Sequence, residues 1–265
     1  MGTVSPAATV DGLDPATRFI SAPRAASRFW ESWLREQGIP RVPARRLVGQ
    51  HQRLVVVAPH PDDEILACGA LLCAHLAQGG TCLLVAVTDG EAGTAGTPGH
   101  DAVALASQRR QESAAGLQRL GVPTEPAVVR LGLPDGVLQD RAEEVRAQVA
   151  ALVRPGDVVL TTWRRDGHPD HEACGHACAA VCDASAVTLL EAPVWMWHWA
   201  EPWDPQVDWT RLTGVGVDND TVARKLHALA AHRSQLTSRS PTLPPVLDSA
   251  LIERAGWDTE YFFAP

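Results

Sequence analysis

Two short clusters of imidazole and carboxylate side chains are the parts of this sequence best suited to chemistry. The first is PHPDDE at residues 59–64, and the second is HPDH at residues 168–171. Imidazoles and carboxylates without a nearby thiolate suit Zn²⁺ or another borderline divalent ion. Three protein ligands that leave one position open for water would make such a site catalytic rather than structural.

Each cluster taken alone also has an ordinary structural interpretation. A Pro-Asp-Asp sequence is typical of a turn that leads into a helix, where carboxylates interact favourably with the positive end of the helix dipole. The HPDH cluster alone could be a loop. A functional site is favoured when the fold brings the two clusters together, so the elements that precede them decide between the interpretations.

Short apolar runs alternate with helical patterns from residue 54 onward. Near-continuous apolar strands are typical of a parallel sheet that is covered on both faces. We therefore predict an α/β fold of Rossmann-like type, with a mostly parallel sheet and helices on both faces. Both clusters then follow the carboxyl end of a strand, where such sheets bind ligands. The predicted strands are 54–58, 82–87, 127–131, 158–162 and 187–190, and the predicted helices are 24–37, 65–77, 102–120, 140–153 and 171–182.

The overall charge of the chain argues against nucleic acid as a partner. The chain has 265 residues, and its 23 Lys and Arg against 31 Asp and Glu give a formal net charge of −8. Because there is no basic excess to neutralise phosphates, we expect no binding to nucleic acid.

No apolar run approaches the ~18–20 residues of a membrane span. The first residues do not resemble a signal peptide, so we expect a cytoplasmic protein.

Six cysteines lie at positions 68, 73, 82, 174, 178 and 182. This density is too low for a disulfide scaffold. The last three recur every four residues, which places them on one face of a helix. They could form a metal or redox cluster, but free cysteine commonly behaves as a small buried apolar residue, and we favour a packing face.

Further motifs accompany the two clusters along the chain. They are VTDGEAG at 87–93, RRQESAAGLQRLG at 109–121, LGLPDG at 131–136 and a KxxAxxxHxSQ segment at 225–235. With PHPDDE and HPDH in the same order, the chain from about residue 53 to 240 resembles the PIG-L/LmbE-like family of zinc-dependent N-deacetylases. That family includes N-acetylglucosaminyl-phosphatidylinositol and mycothiol-pathway deacetylases.

The resemblance implies one Zn²⁺ per chain, although another divalent transition metal would suit the same donors. It implies His60, Asp63 and His171 as the metal ligands, with Asp62 as the general base. Asp62 would accept a proton as zinc-activated water attacks the amide carbon. His168, in its protonated form, would stabilise the oxyanion or protonate the leaving amine.

Several other residues match family positions, each with a structural alternative. Asp170 would orient one of the histidines, and the sequence does not choose which. Arg109 would bind polar sugar oxygens, or it is a solvated helix charge. Asp135 would lie near the site, or it is a turn residue before a glycine. His232 matches a family histidine, but a capping or surface role fits it equally well.

The sequence also departs from the family pattern and carries an unusual run of tryptophans. Some members have a tyrosine two residues before the first histidine of the second cluster, whereas this chain has Asp166. In the segment 193–199, alternation would place Trp195, Trp197 and Trp199 on one face of an extended strand. Trp197 and Trp199 would then form a platform for a sugar ring, unless they pack in a core or an interface.

These residues favour a hydrolase that removes an acetyl or other acyl group from the amide nitrogen of an N-acetylated amino sugar or glycoconjugate. An amidase or esterase acting on another acyl conjugate, and a silent sugar-binding module, are the alternatives. The expected partner is a small-molecule or glycoconjugate substrate, and a homo-oligomer is left open. We expect residues 1–50 to form an arm and helix outside the resemblance, and residues 51–265 to form the deacetylase domain.

Overall fold

A computed structural model of the chain contains one eight-stranded sheet with helices on both faces, as predicted. The strand order is β1-β7-β8-β6-β5-β2-β3-β4, and only β8 runs antiparallel to its neighbours. The strands are β1 Arg41–Val42, β2 Arg53–Ala58, β3 Thr81–Ala86, β4 Val128–Arg130, β5 Val158–Thr162, β6 Thr188–Ala192, β7 Leu212–Gly216 and β8 Thr259–Phe263. The structure describes residues 18, 20, 22–97, 99–123, 127–238 and 244–265.

Helices cover both faces of the sheet because the central strands are apolar on both sides. Along β2, Leu54 and Val56 belong to one buried cluster, whereas Val55 and Val57 belong to the cluster on the opposite face. The helices are α1 Ser27–Glu36, α2 Asp63–Leu66, α3 Gly69–Ala77, α4 Ala102–Leu120, α5 Ala142–Ala150, α6 Pro169–Ser185, α7 Met196–Trp199, α8 Asn219–Leu229, α9 Arg233–Leu236 and α10 Ser249–Ala255.

The order of the strands changes direction at β2. From β2 the chain continues through β3 to β4 on one side, and it then crosses to β5 and β6 on the other side. Within the β2–β5 pair, Val57 lies opposite Thr161. The two clusters therefore leave the sheet side by side at the switch point, where doubly wound sheets bind ligands.

The predicted helix 65–77 is wrong as a single element, because the structure divides it into α2 and α3. The break is stabilised by a carboxylate from a distant strand. Glu260 of β8 accepts the backbone N–H groups of Ala70 (2.8 Å) and Leu71 (2.8 Å) at the first turn of α3. Its charge is balanced by Lys225, whose Nζ lies 2.7 Å from Glu260 Oε1. Local sequence carries no sign of this long-range cap.

The segment before residue 51 packs against the rest of the molecule. α1 lies within the predicted helix 24–37, and its Trp30 and Trp33 are buried in an aromatic cluster with Trp209. β1 pairs in parallel with β7 at the edge of the sheet. The expected loose arm falls largely outside the described residues, since residues 1–17 are not among them.

The three cysteines of α6 form a packing face. Cys174, Cys178 and Cys182 are buried against the sheet in the cluster that contains Val55 and Val57. Burial raises the pKa of each of the three thiols, that of Cys182 to about 12. Across the described ranges, no helix is both long and apolar enough to cross a membrane.

Candidate metal and catalytic site

Three atoms from the two clusters converge above the switch point. His60 Nδ1 lies 3.3 Å from Asp63 Oδ2 and 3.3 Å from His171 Nε2, and His171 Nε2 lies 3.2 Å from Asp63 Oδ2. His60 and Asp63 follow β2, whereas His171 lies in the first turn of α6 after β5. The fold therefore brings together the three residues that the resemblance implied as metal ligands.

The triangle formed by these atoms fits a tetrahedral cation. Zinc bonds of ~2.0–2.1 Å to nitrogen and oxygen place neighbouring ligand atoms about 3.3–3.4 Å apart in a tetrahedron. The observed separations of 3.2–3.3 Å match one face of such a polyhedron. A second candidate set consists of three imidazoles, those of His60, His168 and His171, whose ligand atoms also lie close enough to share an ion. A third set, His60 with Asp135 and Asp170, is also close enough. The Asp63 set combines a negative charge with separations of 3.2–3.3 Å, which suit a tetrahedral divalent cation.

The outer nitrogens of His60 and His171 contact carboxylates. His171 Nδ1 lies 2.8 Å from Asp166 Oδ2. His60 Nε2 lies 3.2 Å from Asp170 Oδ2 and 3.2 Å from Asp135 Oδ1. With a cation bound at the inner nitrogens, these carboxylates would accept the proton that remains on the outer nitrogen of each ring. The structure thus places Asp170 against His60, a choice that the sequence left open.

Asp166 is a site residue that the sequence interpretation missed. Its carboxylate is fully buried, and it accepts the backbone N–H groups of Val194 (2.9 Å), Trp195 (2.9 Å) and Met196 (3.0 Å) as well as His171. It therefore fixes the ring of His171 and the loop after β6 at once. The only signal in the sequence was the departure from tyrosine at this position.

Asp62 adopts a strained backbone conformation that points its side chain into the site. Its φ of 121° lies in a region that only glycine adopts readily, at a typical cost of ~1–3 kcal/mol. The strain is offset by a hydrogen bond, because the Asp62 N–H donates to Glu64 Oε2 at 2.9 Å. Ser113 Oγ holds the other oxygen of Glu64 at 2.9 Å. The carboxylate of Asp62 receives a hydrogen bond from Gln235 Nε2.

The two adjacent aspartates have opposite electrostatic environments. Burial raises the pKa of Asp62 well above its usual range, and the nearby charges of Asp63 and Glu64 raise it further. Burial also acts to raise the pKa of Asp63, but the imidazoles of His171 and His60 outweigh burial and lower that pKa. The two neighbouring carboxylates thus differ in proton affinity.

The histidines also differ in their pKa values. Burial disfavours a charged His171, but Asp63 and Asp166 raise its pKa to about 9. Burial likewise opposes the charge of His60, yet hydrogen bonds with Asp135 and Asp170 raise its pKa well above the ordinary value.

His168 has the opposite shift. Burial, followed by the charges of His171 and His60, lowers the pKa of His168 to about 3. This shift favours a neutral ring, whereas the role that the resemblance implied requires a protonated one. Its Nδ1 accepts the backbone N–H of Asp170 at 3.2 Å, so the proton of the neutral ring lies on Nε2.

An open pocket of about 270 Å³ lies over these groups. One wall is polar and includes Arg109, Asp135 and the backbone of Gly93. The Arg109 guanidinium is buried, and its Nη1 donates to Gly90 O at 2.7 Å, which excludes the solvated-charge alternative. Asp135 accepts the N–H of Ala92 at 2.9 Å and also reaches His60. The lining also includes the apolar side chains of Leu66, Trp195, Val246 and Leu247.

The expected sugar platform of Trp197 and Trp199 is corrected by the structure. The segment turns into the short helix α7 instead of an extended strand, because Asp166 accepts the N–H groups at its start. Trp197 and Trp199 are buried, and their indole N–H groups donate to the backbone oxygens of Pro193 (3.0 Å) and Asp166 (2.8 Å). Both rings pack in the aromatic cluster, and only Trp195 of this run lines the pocket.

Comparisons with known proteins agree with this geometry. Residues 55–182, which contain both clusters, match the family PIG-L: GlcNAc-PI de-N-acetylase. The chain is 30% identical over 227 residues to the 1D-myo-inositol 2-acetamido-2-deoxy-alpha-D-glucopyranoside deacetylase of Streptomyces avermitilis, covering 76% of this chain and 75% of that relative. A second deacetylase of this description, from Saccharopolyspora erythraea, is 29% identical over 237 residues, with 69% of this chain and 83% of the relative covered.

Solved structures share the fold at lower sequence identity. A deacetylase of the teicoplanin biosynthesis pathway is 19% identical and superposes with a TM-score of 0.61, covering 80% of this chain and 97% of that chain. The N,N'-diacetylchitobiose deacetylase of Pyrococcus horikoshii is also 19% identical, with a TM-score of 0.54 and coverage of 90% and 92%. At this identity the likeness concerns the fold alone.

Proposed function

Because the chain belongs to the PIG-L family of de-N-acetylases, we propose that its pocket removes the acetyl group from the amide nitrogen of an N-acetylated amino sugar. The observation that carries the proposal is the juxtaposition of two features. A triangle of His60, Asp63 and His171 fits a tetrahedral cation, and the buried carboxylate of Asp62 adjoins it. A sugar-binding module would not require a buried carboxylate beside the metal site.

We assign Zn²⁺ to the triangle, with one ion per chain. Two imidazoles and one carboxylate are a common donor set of catalytic zinc sites, in which a fourth position is left open. The bound ion would polarise the amide carbonyl and lower the pKa of a water molecule. Asp166, Asp135 and Asp170 would hold the two imidazoles in the orientation that presents the inner nitrogens.

Asp62 acts as the general base in this proposal. As the water oxygen forms a bond to the amide carbon, the Asp62 carboxylate accepts the proton that the water loses. The same proton then passes to the amide nitrogen as the carbon–nitrogen bond breaks, so that acetate and the free amine leave. Burial beside Asp63 and Glu64 makes protonated Asp62 a stable carrier between these two steps.

His168 stabilises the charge that develops on the carbonyl oxygen. The ring is neutral, and its Nε2–H is the donor that remains after Nδ1 has accepted the N–H of Asp170. A positioned neutral donor in a buried site lowers the barrier, because it needs no reorganisation when charge appears. This role replaces the tyrosine that the chain lacks at position 166.

The polar wall supports a sugar substrate. Arg109 and the Asp135 carboxylate place a donor and an acceptor in the lining of the pocket, and hydroxyl groups of a sugar ring can pair with both. The relatives named above act on an inositol-linked N-acetylglucosamine. That compound is therefore the first substrate that we propose for this chain.

The experiment is an assay of acetate release by the zinc-loaded protein. The panel would contain inositol-linked N-acetylglucosamine, N-acetylglucosamine, a β-linked N-acetylglucosamine disaccharide, an N-acetylated amino acid and an acetate ester. We expect release from an amino sugar together with an equal amount of free amine. Activity confined to the amino acid or the ester would replace the proposal by an amidase or an esterase. Tight sugar binding without any acetate release would indicate a binding module.

A further inference from the structure

The hydrogen bond on Asp62 continues through Gln235, which also lines the pocket, to the buried ring of His232. Gln235 Nε2 donates to Asp62 Oδ2, and Gln235 Oε1 lies 3.2 Å from Nδ1 of His232. Gln235 and His232 are both buried, with exposed fractions of 1% and 0%. The side chains of His232, Gln235 and Asp62 thus form a continuous chain of hydrogen bonds that ends at the proposed base.

The direction of these hydrogen bonds follows from the groups at the two ends of the series, the Asp62 carboxylate and the His232 ring. A carboxylate can only accept, so Gln235 presents its NH₂ group to Asp62 and its oxygen to His232. The ring of His232 must then carry its proton on Nδ1. Burial lowers the pKa of His232, which keeps the ring neutral with a single proton.

The surroundings of His232 Nε2 favour the same tautomer, with the proton on Nδ1. Within the described residues, His232 Nε2 has no hydrogen-bond partner. A proton on Nε2 would leave a buried N–H without an acceptor, which native structures rarely tolerate. The ring fits closely against α4, since a Cβ added at Gly116 would lie 2.9 Å from Nε2. His232 therefore has one favoured tautomer and little freedom to tilt.

α9, which carries Gln235, is itself fixed from both sides. Ser234 donates its N–H (2.9 Å) and its hydroxyl (2.6 Å) to the carboxylate of Glu112 on α4. Gln235 O accepts the N–H of Leu247 at 3.0 Å. The amide of Gln235 thus extends from a rigid support.

We propose that Gln235, oriented by His232, is a positioning residue that fixes one oxygen of the Asp62 carboxylate and so aims the other oxygen at the pocket. This inference rests on the proposed role of Asp62 as general base. The proposal assigns a role to His232 and Gln235, which are the histidine and the glutamine of the KxxAxxxHxSQ segment at 225–235. His232 does not line the pocket, and the proposed role of Gln235 requires no contact with substrate or metal although its side chain lines the pocket.

A double-mutant cycle tests the coupling to Asp62. Gln235→Met keeps the size of the side chain and removes the donor. We expect kcat to fall roughly 10–100-fold while KM and zinc content stay near those of the unmodified protein. In the Asp62→Asn background the same substitution should change the residual kcat less than about threefold. An equal loss in both backgrounds would overturn the proposal, because Gln235 would then act independently of Asp62.

Two variants of His232 provide the matched control. In His232→Asn the side-chain NH₂ can replace Nδ1–H as a donor to Gln235, whereas His232→Leu cannot donate. We expect the asparagine variant to retain kcat within about fivefold and the leucine variant to approach Gln235→Met. Equal kcat values for the two variants, at equal thermal stability, would contradict the orienting role.

The tautomer of His232 gives a readout that does not depend on activity. The ¹⁵N imidazole shifts of the zinc-loaded protein should show His232 neutral and protonated on Nδ1, and Gln235→Met should alter them. A ring protonated on Nε2, or on both nitrogens, would overturn the hydrogen-bond chain even if the deacetylase activity is present. Absence of deacetylase activity with the expected tautomer would instead overturn the proposed function and leave the geometry standing.

Discussion

His171 Nδ1 lies 2.8 Å from a carboxylate oxygen of Asp166, five residues earlier in the chain. Asp166 stands where some members of the family have a tyrosine that aids catalysis. In this chain the carboxylate at this position contacts a proposed metal ligand and also accepts N–H groups from the loop after β6. The relationship joins the geometry of the proposed metal site to the folding of α7.

Substitution of Asp166 should therefore weaken metal binding. Asp166→Asn keeps the shape but removes the charge beside His171, and we expect a ~10–100-fold loss in zinc affinity. A competition titration with a chromogenic chelator measures it. Glu172→Gln serves as the control, since Glu172 lies on the same helix but binds Arg18 (3.0 Å) instead of a proposed ligand. Unchanged affinity in Asp166→Asn would show that the contact does not support the metal.

The neutral state of His168 predicts which substitute can replace it. His168→Gln can present an NH₂ donor near the position of Nε2–H, whereas His168→Ala cannot. If the ring acts as a neutral donor, the alanine variant should lose ~10²–10³-fold in turnover and the glutamine variant distinctly less. Zinc content should be unchanged in both. Equal losses would favour a group that must carry a proton to the leaving amine, which is one of the two roles that the resemblance implied.

The tryptophans should separate into packing and pocket residues. Trp199→Ala removes a fully buried ring, and we expect a loss of ~3–5 kcal/mol in unfolding free energy. Trp195→Ala should raise KM with little change in Tm, because Trp195 lines the pocket. Trp203, which is 60% exposed, is the control for loss of an indole at the surface. A stable Trp199→Ala protein with a raised KM would restore the sugar-platform interpretation.

The cysteines of α6 should resist modification in the folded state. Burial raises the pKa of the Cys174, Cys178 and Cys182 thiols, and the thiolate is the form that reacts with alkylating reagents. We expect iodoacetamide at pH 8 to leave these three unlabelled in the native protein and to label them after denaturation in guanidinium. Peptide mass spectrometry distinguishes the positions. Fast labelling of Cys178 without denaturant would contradict the packing role.

Much of the fold could be predicted because the signals were local. The apolar run of β2, followed directly by a polar cluster, indicated both the strand and its place in a parallel sheet, and the helix over residues 102–120 is confirmed as α4. The elements near the C-terminus were not predicted. β7 is short and contains two glycines, and β8 is held in place by pairing with it, so neither has a strong pattern of its own.

The site could be predicted only as far as its motifs extend. His60, Asp63 and His171 lie together in the structure as the resemblance implied, although their role as ligands stays a prediction. Asp166 and Gln235 contact residues that are distant in sequence, and no local sequence pattern indicates such contacts. The extended strand predicted for the segment 193–199 is wrong, because the turn into α7 depends on the Asp166 carboxylate, 29 residues before Trp195.

The central claim assigns different tasks to two adjacent aspartates, and one paired measurement tests it. Zinc content and turnover would be determined for Asp62→Asn and Asp63→Asn from parallel preparations. We expect Asp62→Asn to keep about one zinc per chain and to lose ~10²–10⁴-fold in turnover, since only the proton acceptor is removed. Asp63→Asn should lose the metal first and activity as a consequence. Loss of zinc in Asp62→Asn, with retention in Asp63→Asn, would contradict the account.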